Sequence, residues 1–217
     1  MTTLHQVELT CPVCEQRFSS QAVLSTNSLG GLQTDFHELA VGAQPLPYLL
    51  HTCARCGYTA GETDFGDGIG IGLDVKQHVW GELTPMLPAG PLQGSDKYEL
   101  AAKVAVWQDA EPRRIADLYL RAAWCCMDES DTEAERYFRR HAAWMFERAL
   151  ASFDAVDRGE RARLTYLVAE LWRRVGDLAR AREWFDKVPS EITDAQSDAW
   201  IVREARRQRD CPREWFR

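Results

Sequence analysis

The sequence contains no apolar run long enough to span a membrane. Its first residues, Met1 to Gln6, also lack the basic and apolar segments of a secretory signal. We therefore expect no membrane partner, and we predict a cytoplasmic location. Because thiols stay reduced there, the cysteines are expected to be free thiols or metal ligands and not disulfides.

Basic side chains are scarce in the first part of the chain. Residues 1–95 hold three of them, Arg17, Arg55 and Lys76, against nine acidic side chains, and the whole chain has a formal net charge of −7. A segment this acidic repels phosphate groups, whereas nucleic-acid-binding domains carry basic patches. The sequence therefore predicts no nucleic-acid partner for this part.

Recognisable catalytic motifs are missing as well. No Ser-His-Asp, Cys-His or paired-carboxylate arrangement stands out along the chain. The glycine-rich run from Phe65 to Gly72 has neither a dinucleotide-binding nor a P-loop pattern, and we interpret it as a flexible connection. We predict no catalytic residue and no organic cofactor site, and we do not expect an enzyme.

Four cysteines in two Cys-x-x-Cys pairs are the most informative feature present: Cys11 with Cys14, and Cys53 with Cys56. Two such turns can surround one metal ion tetrahedrally with thiolates, and zinc is the favoured metal. Gly57 follows the second pair and allows the positive φ of a tight turn. The pairs are 38 residues apart, against about 15–20 in common ribbons, so a longer hairpin or an inserted loop is expected. We predict one zinc ion per chain on these four residues.

Alternatives to this zinc site remain open. Iron could replace zinc in a rubredoxin-like site, or the thiols could carry out redox chemistry. His37 and His51 lie between the pairs, and either could replace a cysteine ligand, although four thiolates already suffice. Cys125 and Cys126 are adjacent in a predicted helix, where their side chains diverge, so we interpret them as buried apolar residues.

The composition changes near residue 94. Three prolines between Pro85 and Pro91 interrupt any helix or central strand and predict a linker. Of eight tryptophans, only Trp80 precedes this point. We predict two domains, a zinc-ribbon-like segment with a Gly/Pro-rich connection over residues 1–94 and a helical domain over residues 95–217.

The two parts differ in predicted secondary structure. In the first, the runs 21–25, 32–36 and 48–52 are compatible with a small antiparallel sheet. In the second, apolar periodicity and capping residues predict six helices joined by short connections, with Asp157-Arg158-Gly159 ending the third of them. The predicted fold class is mainly α, with a small N-terminal β metal-ribbon segment followed by antiparallel helical hairpins.

One predicted hairpin carries a more specific pattern. Small and aromatic residues recur at the spacing of a tetratricopeptide repeat, namely Ala169, Trp172, Gly176, Ala181 and Phe185. Small residues allow two helices to approach closely, and aromatic residues fill the groove between hairpins. The pair Ala142 and Phe146 repeats part of this pattern earlier in the chain. We therefore predict helical hairpins of tetratricopeptide-like type over a generic bundle.

Several short motifs together resemble a known family. They are Cys-Pro-x-Cys-x-x-x-Phe at Cys11 to Phe18, Asp35-Phe36, Pro45 to Tyr48, Cys-x-x-Cys-Gly-Tyr at Cys53 to Tyr58, Tyr98 to Ala101, and Leu120 to Trp124. Over about residues 8–155 this combination is similar to the uncharacterised bacterial family called domain of unknown function 2225. The resemblance implies a metal-ribbon-like segment fused to tetratricopeptide-like helices, without an established activity. The chain departs from the family pattern at Glu15, Gln44 and Ala54 and keeps all four cysteines.

These features predict a non-enzymatic adapter. A structural zinc site would stabilise the N-terminal segment, and the helices would present a surface to a protein or peptide partner. The alternative is a rubredoxin-like redox or metal-sensing protein that uses the same four cysteines. The colour of the purified protein separates the two metals, because ferric iron bound by four thiolates absorbs visible light and zinc does not.

Overall fold

The computed structural model of the chain describes residues 1–66, 68–152, 156–193 and 199–216. Helices make up most of these residues, and short antiparallel strand pairs lie near the N-terminus. The predicted class, mainly α with N-terminal strands, is confirmed. Within the described ranges, no helix combines the length and the apolar character needed to cross a membrane.

The first strand pair is a hairpin that was predicted only in part. β1 (Thr3–Thr10) pairs antiparallel with β2 (Arg17–Ser25), so that Thr10 faces Arg17. The prediction covered residues 21–25 alone. β1 escaped prediction because Leu9 is its only fully buried residue, which leaves the strand without a clear apolar alternation.

Two shorter strand pairs follow. β3 (Gly31–Leu32) pairs with β4 (Glu38–Leu39), and β5 (His51–Thr52) pairs with β6 (Thr59–Ala60). In the described part of the chain the three pairs are separate two-stranded sheets, so the single small sheet that we expected was wrong. Isolated pairs this short are marginal in water. Other contacts must therefore hold them in place.

A short helix that was not predicted from the sequence lies between the glycine-rich run Phe65 to Gly72 and the proline-containing linker. α1 (Leu73–His78) continues into a π turn over Val79–Leu83. Val75, Val79 and Leu83 are buried and recur every four residues, which is a helical signal. Glycines before this segment and prolines after it obscured that signal in the sequence.

Six longer helices follow. Their bounds are α2 (Gly94–Trp107), α3 (Pro112–Glu129), α4 (Thr132–Ala151), α5 (Arg158–Arg174), α6 (Leu178–Lys187) and α7 (Ala199–Asp210). From α2 to α6, each helix packs against the next, as expected for helical hairpins with short connections. For the last helix, the sequence predicts a cap formed by Thr193 with Gln196, but Gln196 lies outside the described residues.

Asp157 begins a helix instead of ending one. Its carboxylate accepts a hydrogen bond from the Gly159 N–H at 2.8 Å, a contact that caps the start of α5. The interpretation of Asp157-Arg158-Gly159 as a helix stop was therefore wrong. A short polar residue next to a glycine fits both ends of a helix, and only the long-range packing of α5 decides between them.

The α5–α6 pair contains the residues of the tetratricopeptide-like pattern. Gly176, with a φ of +91°, forms the turn between the helices. Ala169, Trp172, Ala181 and Phe185 are all buried in one hydrophobic cluster. The pattern thus coincides with the packing contact of this hairpin, and assignment of the helices to a tetratricopeptide repeat stays a prediction.

Buried side chains pack across residue 94, the predicted domain boundary. Leu100 of α2 belongs to the same core cluster as Cys53. Leu50 shares another cluster with Tyr98, whose hydroxyl donates to the carbonyl of Leu46 at 3.1 Å. The division into two domains stays a prediction, but the two parts share hydrophobic cores.

A buried ion pair joins the strand segment to the helices. The side chains of Asp35 and Arg139 are both inaccessible to solvent, and Trp124 also donates to Asp35 at 2.9 Å. Burial raises the pKa of Asp35, but the charges of Arg139 and Arg174 outweigh this effect and hold the pKa below its usual range. This ionisation stabilises the fold above the unfolded-state pKa of about 3.9, and the contribution is lost as the pH falls further.

We predict that Asp35→Asn strongly destabilises the fold. Arg139 then keeps only Glu135 as a partner, at 2.7 Å, and loss of one member of a buried charge pair typically costs about 3–5 kcal/mol. The matched control is Asp186→Asn, since Asp186 pairs with Arg209 on the surface, where pairs contribute about 0–1 kcal/mol. Urea denaturation measures both free energies of unfolding, and equal small losses would contradict a dependence on the buried pair.

Candidate metal centre

Both Cys-x-x-Cys pairs lie in turns between paired strands. The first turn joins β1 to β2, and the second joins β5 to β6. In the first, the Glu15 N–H donates to the Cys11 carbonyl at 2.8 Å, and in the second, the Gly57 N–H donates to the Cys53 carbonyl at 2.8 Å. The two turns therefore contain equivalent backbone hydrogen bonds, although β1–β2 is the longer hairpin.

The two turns bring their four sulfur atoms together. All four Sγ atoms lie within 4.8 Å of one another. The Sγ atoms of Cys11 and Cys56 are 3.6 Å apart, and those of Cys14 and Cys53 are 3.5 Å apart. A tetrahedral ion with metal–sulfur bonds of about 2.3 Å requires sulfur separations of about 3.8 Å, whereas a disulfide requires about 2.05 Å. The four cysteines thus fit one metal ion.

Four negatively charged thiolates at this buried site require a bound cation to compensate their charge. Cys11, Cys53 and Cys56 are inaccessible to solvent, and Cys14 is partly exposed. Without a metal, hydrogen bonds among the sulfurs lower the pKa of Cys53 and raise the pKa of Cys56, so the protons are divided unequally. A bound divalent cation would compensate the thiolate charges, since buried charges persist in proteins when they are paired or coordinate a metal.

The π turn after α1 and helix α2 contribute residues to the hydrophobic core that contains the sulfurs. Val79 and Leu83 are fully buried in the same core cluster, together with Leu100 of α2. The Thr84 hydroxyl donates to the carbonyl of Cys56 at 2.9 Å and fixes the second turn. The site is therefore built into the core that joins the strand segment to the helices.

The residue after each second cysteine has a left-handed backbone. Gly57 has a φ of +84°, and a Cβ at this position would lie 3.0 Å from the Cβ of Leu83. Glu15, where the resemblance leads us to expect glycine, has a φ of +61°. Its turn keeps the same backbone conformation, although a non-glycine residue there carries strain.

The two histidines between the cysteine pairs lie elsewhere. His37 stacks on Trp124 with ring centroids 4.7 Å apart, and burial lowers its pKa to about 4. His51 Nδ1 lies 2.8 Å from the Ser20 hydroxyl, and burial lowers its pKa as well. Among the described residues, the four cysteines form the one cluster of metal-ligand type. Neither histidine therefore substitutes for a cysteine ligand in this arrangement.

The three remaining cysteines lie apart from this cluster. Cys125 and Cys126 are buried in α3, and burial raises the pKa of each thiol above its usual range. Buried thiols of raised pKa are poor nucleophiles, and among the described residues these two join no cluster of three or more metal-ligand side chains. Cys211 is exposed near the end of the chain. It provides a matched control for substitutions at the metal centre.

Glu170 is a buried charged residue that the sequence patterns did not reveal. It is inaccessible to solvent, accepts a hydrogen bond from the Thr34 hydroxyl at 2.6 Å, and pairs with Arg173 and Arg174. Its spacing to these arginines was the available signal, because residues three and four positions apart meet on a helix. Burial of the group depends on Thr34, which is distant in sequence.

Comparison with known proteins identifies one family. A sequence profile described as "Uncharacterized protein conserved in bacteria (DUF2225)" matches residues 4–211. No curated protein and no solved structure matches the chain. The match extends beyond residues 8–155, over which the motifs suggested the resemblance, and includes most of the helices.

We predict that the chain binds one zinc ion and that Cys53→Ser abolishes this binding. Serine removes a thiolate from a site that uses all four, and loss of the ion should also lower the melting temperature, because the ion binds the folded chain more tightly than the unfolded chain. Native mass spectrometry measures the ion, and calorimetry measures the melt. Cys211→Ser should retain both values. An intact wild-type chain without metal, or Cys53→Ser with its full complement of zinc, would contradict the prediction.

We further predict opposite effects at the two left-handed positions. Gly57→Ala should destabilise the fold by about 1–3 kcal/mol, since the new Cβ meets Leu83 in a strained backbone. Glu15→Gly should stabilise the fold by about 1 kcal/mol, because glycine adopts this backbone without strain.

The control for both is Gly90→Ala, where an added Cβ has no neighbour within 4 Å. Urea titrations at saturating zinc give the three free-energy changes. A loss of stability in Glu15→Gly would show that the first turn does not carry the strain assigned to it.

Proposed function

The chain belongs to the bacterial family DUF2225, whose description names no activity, and we propose from its geometry that it is a non-enzymatic zinc-binding adapter. In this proposal zinc fastens the strand segment to the helices, and the helices present a surface to a protein partner. The chain would act in the cytoplasm, where its thiols stay reduced.

A structural role for the metal is supported by the ligand set. Four thiolates complete a tetrahedral coordination sphere, whereas catalytic zinc sites keep one position for water or substrate. The ligands come from two separate turns, and their surroundings include Leu100 of α2. An ion at this site would therefore supply cross-linking between distant segments and not a reactive centre.

The adapter role rests on one observation, an aromatic stripe on the outer face of α4. Tyr137, His141 and Trp144 follow one another at helical spacing, and their neighbouring ring centroids are 4.1 Å and 5.4 Å apart. Tyr137 is 46% exposed and Trp144 is 42% exposed. Exposed aromatic residues on rigid elements are typical of protein interfaces, because they bury a large area with little loss of entropy. The stripe is thus suited to a protein partner.

The tetratricopeptide-like reading of the helices supports the same role. Helical repeats bind ligands with side chains on rigid, extended surfaces. The α5–α6 hairpin has the required small and aromatic contacts, and α4 packs against α5. In this proposal α4 to α6 form a continuous scaffold that holds the aromatic stripe in a fixed position.

A second candidate function is redox or metal sensing, as in a rubredoxin-like site. The observation in its favour is the partial exposure of Cys14, since an oxidant could reach this sulfur before the three buried ones. Iron in place of zinc would also fit four thiolates. A sensor requires that the state of the cysteines alter binding, whereas an adapter does not.

We predict that partner capture depends on the aromatic stripe. The double variant Tyr137→Ser and Trp144→Ser should lose most of the proteins that the immobilised full chain captures from a bacterial lysate, as identified by mass spectrometry. The control is Leu178→Ser, which removes another exposed apolar side chain from a different helix. Its captured set should equal that of the wild type.

The same capture under reducing and oxidising conditions separates the two functions. An adapter should retain its partners under both conditions as long as the metal stays bound. Capture that ignores the aromatic stripe and switches with oxidation would overturn the adapter and favour the sensor.

A further inference from the structure

The segment that follows α7 returns to the strand part of the chain and pairs with it as a short strand. We call residues 213–216 the strap. Trp215 forms an antiparallel bridge with Gln33. The Thr34 N–H donates to the Glu214 carbonyl at 3.0 Å, and the Phe216 N–H donates to the Leu32 carbonyl at 3.1 Å. Residues 32–34 therefore present a strand edge that accepts an extended peptide.

A buried glutamine binds the main chain of the strap. The Gln208 amide donates to the Arg213 carbonyl at 2.8 Å and accepts from the Arg213 N–H at 2.7 Å. Gln208 itself is almost inaccessible to solvent. A side-chain amide that meets both main-chain groups of one residue recognises an extended peptide irrespective of that residue's side chain.

Two arginines select an acidic side chain in the strap. The carboxylate of Glu214 lies 3.0 Å from Arg173 and 2.8 Å from Arg174. Each arginine also pairs with the buried carboxylate of Glu170, at 2.7 Å for Arg173 and 2.9 Å for Arg174. Fixed guanidinium groups recognise carboxylates with good geometry. The charge of the site thus matches an acidic residue at this position.

An aromatic slot receives the residue two positions further on. The ring of Phe216 stacks on Phe36 with centroids 5.7 Å apart, and it lies 6.1 Å from Trp200 and 6.3 Å from Tyr166. The guanidinium group of Arg163 lies over the Phe36 ring, 4.7 Å from its centroid. The slot therefore fits a planar aromatic side chain.

The site is more firmly built than the segment that occupies it. Thr34, Gln208 and Glu170 are buried, whereas Glu214 and Trp215 of the strap are exposed. Gln33 Oε1 is buried and has no hydrogen-bond partner among the described residues. On the strap, Arg213 Nη2 donates to Glu204 at 2.8 Å, but Arg213 Nε and Nη1 are buried without a hydrogen-bond partner among the described residues. The contact between the strap and the site thus leaves polar groups unsatisfied on both sides.

We infer that this groove is a recognition site for an extended peptide of a protein partner, and that the strap occupies it as an internal ligand. The peptide pairs antiparallel with residues 32–34 and carries an acidic residue two positions before an aromatic one. The inference rests on the proposed adapter function, to which it adds a second site and the chemistry of the partner. Charge complementarity with Arg173 and Arg174 favours such a peptide over an apolar one.

The test uses the full chain and a fluorescent synthetic peptide, Pro-Arg-Glu-Trp-Phe, with anisotropy as the readout. The variant Glu214→Gln with Phe216→Ala weakens the strap. It should bind the peptide at least about tenfold more tightly than the wild type, because an internal competitor reduces apparent affinity by the fraction of sites it occupies. Cys211→Ser, an exposed change beside the strap, should bind as the wild type does.

A second peptide, with lysine and serine in place of its glutamate and phenylalanine, tests the chemistry and should bind the strap variant at least about tenfold more weakly. Circular dichroism checks that each variant is folded. Glu214→Gln alone changes one exposed carboxylate and replaces the double variant if that does not fold, with the same expected direction.

Equal binding of both peptides, or no gain in the folded strap variant, would overturn the inference. Light scattering gives one further outcome. A dimer that forms in the wild type and is absent in the strap variant would identify a second copy of the chain as the occupant, and this would overturn the inference of a separate partner protein. Because the probes are synthetic, a negative result leaves capture by the aromatic stripe untouched, and a failed capture leaves peptide binding untouched.

Discussion

Four cysteine sulfurs within 4.8 Å of one another impose a constraint on the rest of the N-terminal segment. As thiolates they repel one another in a site that water reaches only at Cys14, and a divalent cation removes that repulsion. Two of the three strand pairs have only two residues per strand, too few to persist alone. A metal ion that joined the β1–β2 turn to the β5–β6 turn would hold the β5–β6 pair in place.

Buried charged side chains also connect the strand segment to the helices. Asp35 meets Arg139, and Thr34 meets Glu170, so adjacent residues of one loop contact two different helices. Such pairs add little net stability compared with apolar packing, but a single missing partner is strongly unfavourable. They therefore favour this arrangement of the loop through the cost of leaving a buried partner unpaired. The strap binds next to these buried groups, because Arg173 and Arg174 contact both Glu170 and Glu214 of the strap.

The sequence was informative where a local pattern has one physical meaning. Paired cysteines predicted the cluster of sulfurs, and helical periodicity predicted the mainly α class and the α5–α6 packing. Local pattern failed at Asp157, which suits either end of a helix, and at α1, whose glycine and proline neighbours concealed a four-residue repeat. Contacts such as Asp35 with Arg139 are 104 residues apart, and no periodicity in the chain encodes which charges meet. The strap escaped prediction for the same reason.

The most direct test of the account is the metal environment in the purified full chain. X-ray absorption at the zinc edge should give four sulfur scatterers at about 2.3 Å and no nitrogen or oxygen neighbour, as expected for a closed structural site. That result would establish the ion on which the arrangement of the hairpins depends. A mixed shell containing a histidine nitrogen or a water oxygen, or a chain that keeps its fold with no metal at all, would contradict it.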